Sequence, residues 1–114
     1  MATETIKTFA NGVLISERVI DVPPPTREEY GRAVEAHVDA IARSRGYANA
    51  AAMVTYETST VPQFAAEAQA FKVWRDSVWI AVAGVEAAVL GGQRSPPSIP
   101  DLIAELPQIV WPAT

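Results

Sequence analysis

The stretch TVPQFAAEAQAFKVWRDSVWIAVAGVEAAVLGG, residues 60–92, decides the fold. Thr60-Val61-Pro62-Gln63 reads as a helix start, with Thr60 as cap, proline in the first turn and Gln63 as the reciprocal partner of the cap. No breaker follows until Gly91-Gly92. Gly84 is tolerated at a cost of about 1 kcal/mol relative to alanine and marks an expected close helix contact. Phe64, Phe71, Val78 and Val85 recur every seventh residue and are joined by Ala68, Trp74, Val82 and Val89, which makes one apolar stripe. A helix of about 30 residues is roughly 45 Å long, whereas a compact domain of this size is about 35 Å across. The helix therefore needs an equally long antiparallel partner in its own chain, or its distal end packs on another protein. Trp79 and Ile80 lie beside the stripe, so one partner helix leaves apolar surface uncovered.

Upstream, Thr26-Arg27-Glu28-Glu29 is a capping box, and Tyr30, Val34, His37, Val38 and Ile41 follow at helical spacing through Arg45. Gly46 stands where a left-handed residue closes a helix. Asn49 caps a short helix over Ala50-Ala51-Ala52-Met53-Val54, which acts as the corner between the two long helices. Residues 6–22 are of another kind. Ile6, Phe9, Val13, Leu14, Ile15, Val19, Ile20 and Val22 gather around Asn11-Gly12, a dipeptide suited to a tight hairpin turn. A two-stranded hairpin is marginal in water and needs something to lie on. Pro23-Pro24-Pro25 separates it from the helices as a stiff spacer.

Downstream, Ser95-Pro96-Pro97-Ser98 is a linker, and Ser98 caps a short helix from Ile99 to Leu106 that Pro107 stops. Gln108-Ile109-Val110-Trp111-Pro112 is an extended apolar tail that must dock on this chain's helices or on another protein. The expected fold is mainly α: an elongated antiparallel helical hairpin with a short connecting helix, an N-terminal β-hairpin and an extended C-terminal tail. It divides into an arm and spacer (1–25), a helical body (26–92) and a linker, short helix and tail (93–114).

With 114 residues, 49% of them hydrophobic and 19% charged, the chain is one folded module and not a disordered segment. The longest apolar stretch, Val78 to Val85, is too short to cross a membrane, and no secretory signal pattern opens the sequence. A net charge of −4 argues against nucleic-acid binding. The absence of cysteine removes disulfides, thiol catalysis and thiolate metal sites, and a single histidine removes any multi-histidine site. No cofactor is expected.

Residues with catalytic potential have plainer readings. Glu28 and Glu29 are adjacent and serve capping and the helix dipole. His37 on an apolar face has no oriented carboxylate, because Glu35 and Asp39 face elsewhere. Gly91-Gly92 follows a helix instead of preceding one, so it cradles no phosphate. An enzyme, a small hydrolase using Glu29, His37 or Asp76, is the least favoured reading. Binding through Phe64, Phe71, Trp74 and Trp79, with Val13 and Ile15 of the hairpin and Trp111 of the tail meeting neighbouring chains, is the expected mode of action.

Tyr30, Ala36-His37-Val38-Asp39-Ala40, Gly46-Tyr47, Tyr56, Ala65-Ala66-Glu67-Ala68-Gln69-Ala70-Phe71 and Trp74-Arg75-Asp76-Ser77-Val78-Trp79 carry a resemblance, as does Leu106-Pro107-Gln108-Ile109-Val110-Trp111-Pro112. Over about residues 30–112 the chain resembles a family of small tailed-bacteriophage proteins associated with the tail fibre and baseplate, tail-fibre assembly and attachment proteins among them. The resemblance implies a protein made in the host cytoplasm and located in the phage tail. It implies a structural component bound to fibre or baseplate proteins or, alternatively, an assembly chaperone covering an apolar fibre surface. Self-association is a further expectation.

Overall fold

The computed structural model describes residues 23–113, side chains included; the hairpin expected over residues 6–22, with Val13 and Ile15, lies outside the described residues. Those described are mainly helical, with helices α1 (Arg27–Ser44), α2 (Ala50–Val54), α3 (Pro62–Leu90) and α4 (Ile99–Glu105). A single 3₁₀ turn, Thr55–Thr58, joins α2 to the approach of α3.

The helix ends follow from side chains and glycines. At the start of α1, Thr26 Oγ1 accepts from the Glu29 amide at 3.1 Å, while Glu29 Oε1 accepts from the Thr26 amide at 3.4 Å. At its end, Gly46 adopts φ 96°, and the Gly46 and Tyr47 amides donate to Arg43 O and Ala42 O, a Schellman closure. The same closure ends α3, where Gly92 has φ 73° and the Gly92 and Gln93 amides donate to Val89 O and Ala88 O. Asn49 Oδ1 and Ser98 Oγ cap α2 and α4 as their spacing predicts.

Two local expectations are corrected. The cap of α3 is Val61, not Thr60. Pro62 occupies the first helical position, where its missing N–H costs nothing, and the expected partner Gln63 instead donates its side-chain amide to Glu67 Oε1 at 3.2 Å. Gly84 meets no neighbour within 4 Å of where a Cβ would stand, so it marks no close helix contact among the described residues.

Contacts between the two long helices run in opposite order along them. Arg27 pairs with Glu86 at 3.5 Å, the His37 and Trp74 rings meet edge to face at 5.9 Å, and Arg45 pairs with Glu67. Between them lies the core of Val34, Val38 and Ala42 from α1, Met53 from α2, and Ala68, Phe71, Trp74 and Val78 from α3. Leu102 and Leu106 close it from the C-terminal side. Large side chains fill the seam, Phe71 against Trp74 at 5.6 Å being the largest pair. The linker returns the chain to α1, where the Tyr30 hydroxyl donates to Pro97 O at 2.6 Å. The tail then lies on this chain's own helices, with Ile109 and Trp111 against the core.

Candidate partner-binding surface

The packing divides the expected interface residues into two groups. Phe71 and Trp74 are 0% and 5% exposed, so in this fold both belong to the chain's own core and present no surface to a partner. Their position opposite Val34, Val38 and Met53 explains this: the side of α3 that carries Phe71 and Val78 is the side α1 covers. Phe64 and Trp79 remain accessible at 42% and 36%. Phe64 stands at the start of α3, beyond the end of α1, and stacks edgewise on Tyr56 at 5.8 Å; Tyr56 in turn meets Tyr47 at 5.2 Å. Trp111 is half-buried, with the Arg45 guanidinium 4.8 Å from its ring centre.

Trp79 forms one wall of a cleft of about 400 Å³, built from the distal half of α3, the first turn of α1 and the linker. Val82, Val85, Val89 and Leu90 make its floor and far side, Tyr30 and Gly31 its near side, and Pro96 and Pro97 one edge. Its charged rim is the Arg27–Glu86 pair. The Tyr30–Pro97 hydrogen bond fixes two of its walls, and burial pushes the Tyr30 phenol above its usual 10.0, opposed by nearby Arg94. Outside the cleft the same helix shows Val73 and Ile80 to solvent at 59% and 73%, and Leu90, in the cleft lining, is itself 80% exposed. Glu86 is the one charged residue from Val78 to Leu90. A helix apolar on several sides is ordinarily buried on several sides, whereas among the described residues Val73, Ile80 and Leu90 of α3 stay largely uncovered.

Among the described residues no three His, Asp or Glu side chains converge as metal ligands. His37 packs against Trp74, Glu29 is committed to the α1 cap, and Asp76 pairs with neighbouring Arg75 at 3.0 Å.

Two polar features escape sequence reading. Asp39 Oδ1 accepts from the Ala50 amide at 2.9 Å, giving the start of α2 a second cap eleven residues away in sequence. Arg45 pairs with Glu67, whose residue is 7% exposed and which also accepts from Gln63. The uncharged spacing around Glu67 gave one signal for this pair: an acid on the covered side of a helix needs a cation opposite it.

No family model, curated protein or solved structure matches the chain.

Proposed function

We propose that this protein is a structural component of a bacteriophage tail that binds the tail fibre or baseplate and joins or stabilises the fibre. Its setting is suggested by the Trp-Arg-Asp and C-terminal Leu-Pro-Gln-Ile-Val-Trp-Pro sequences that resemble tail-associated proteins. The observation that carries a binding role is the cleft at Trp79, Val82, Val85 and Val89, an apolar hollow on a helix with one charge in its last four turns. The interface in this reading is Trp79 with the cleft, together with Phe64 and the exposed edge of the tail at Val110. Phe71 and Trp74 serve it by holding the two long helices apart as an antiparallel pair. The N-terminal arm, residues 1–25 with its proline spacer, reaches a neighbouring chain in this reading.

Mass spectrometry of purified phage particles tests the reading. The chain is expected in the particles, and Val85→Glu, which places a charge in the cleft, is expected to remove it from them while its cellular level is unchanged. Particles that lack the unsubstituted chain would overturn the structural role; if fibres then also failed to assemble without the gene, an assembly chaperone would take its place.

A further inference from the structure

We propose that residues 107–113 form a strap that opens as a unit about the Leu106–Pro107 junction while the four helices stay formed, uncovering the indole edge of Trp74 and the Arg45–Glu67 pair.

The strap is held differently from everything before it. Pro107 and Pro112 have no N–H, and among the described residues none of the strap's amides makes a backbone–backbone hydrogen bond. Its attachments are the Trp74 Nε1–H donated to Pro107 O at 2.7 Å, the Arg45 guanidinium over Trp111, and Ile109 and Trp111 packed on the core. Val110, between the last two, is 85% exposed. The helix that precedes the strap is pinned by contrast: Leu102 and Leu106 are 2% and 6% exposed, and Glu105 takes two hydrogen bonds from Arg94 at 2.7 and 2.9 Å. A chain that passes from a buried residue with extended backbone at Leu106 into unpaired backbone has its hinge there.

Opening strands no polar group in a dry place. The Trp74 N–H passes from a carbonyl to water, and Arg45 keeps its partner Glu67 when Trp111 leaves. The closed strap is therefore separated from the open one by one hydrogen bond, one cation–π contact and the packing of Ile109 and Trp111, with no backbone ladder to break. While it is closed, Pro107 blocks the approach to Trp74, and any partner using that edge must displace the strap.

Hydrogen exchange of the full chain by NMR tests this. The protection factor of the Trp74 indole N–H is expected to be at least 100-fold below those of the Phe71 and Val78 amides and to be unchanged by low urea, as local opening requires. Trp111→Ala is expected to lower indole protection at least tenfold further and to leave the Phe71 amide as it was; Ile109→Ala serves if that variant does not fold. Indole protection equal to that of the core amides, with the same urea dependence, would overturn the proposal, as would equal acceleration of both sites in the variants.

Discussion

The hydroxyl of Tyr30 donates to the carbonyl of Pro97, 2.6 Å away and 67 residues later, so a single phenol ties the first turns of α1 to the linker before α4. Tyr30→Phe keeps the ring and removes this tie, and is expected to cost about 1 kcal/mol at neutral pH in urea unfolding. The phenol pKa is raised in the folded state, chiefly by burial. The folded chain therefore holds this proton more tightly than the unfolded one, and the contribution is complete below pH 10.0 and lost as pH rises through the raised value. Tm of the unsubstituted chain should fall faster than that of Tyr30→Phe above pH 10; parallel profiles would show that the bond carries no stability.

Acid acts on a different tie. Hydrogen bonds from Arg94 hold the Glu105 carboxyl below its usual 4.5, so its contribution is present above pH 4.5 and disappears as pH falls through the lowered value. Glu105→Gln is expected to flatten the decline of Tm with pH in the acid range below 4.5, with little change at pH 7 because the pair is exposed. An acid profile identical to that of the unsubstituted chain refutes this.

Elements set by contiguous residues were legible in the sequence: the Thr26–Glu29 box, the closing glycines Gly46 and Gly92, and the Asn49 and Ser98 caps all act within four or five positions of their partners. The mainly helical class follows from these. Helical spacing set Phe71 and Trp74 on the stripe and Trp79 beside it, but not that the stripe is covered by this chain's own α1 and closed to a partner, since that depends on how the corner at residues 45–58 brings α1 across α3. Asp39 capping Ala50 and Arg45 pairing with Glu67 were hidden for the same reason: each joins residues brought together by that corner. The cleft needed the linker to fold back onto Tyr30, which no local pattern announces.

The hydroxyl of Tyr47 is buried and has no hydrogen-bond partner among the described residues, and burial together with nearby Glu67 raises its pKa. An unpaired buried hydroxyl is a cost that the ring does not need. Tyr47→Phe should therefore leave the edge contact with Tyr56 in place and stabilise the chain by about 1 kcal/mol. A loss of stability in thermal or urea unfolding would mean that the hydroxyl is satisfied in solution.

Phe71 and Trp79, eight positions apart on α3, should part company when truncated. Phe71 is fully buried against Trp74, and Phe71→Ala is expected to cost about 3–5 kcal/mol, because the cavity it leaves is walled by residues from both long helices. In a chain of this length that lowers Tm by roughly 10 °C or more. Trp79 is 36% exposed and borders open space in the cleft, so Trp79→Ala leaves no enclosed cavity and should cost less than half as much. The difference locates the division between core and surface along the helix: equal losses would mean that the cleft closes over Trp79 in solution, and a loss under about 1 kcal/mol at Phe71 would mean that α1 does not cover α3 there.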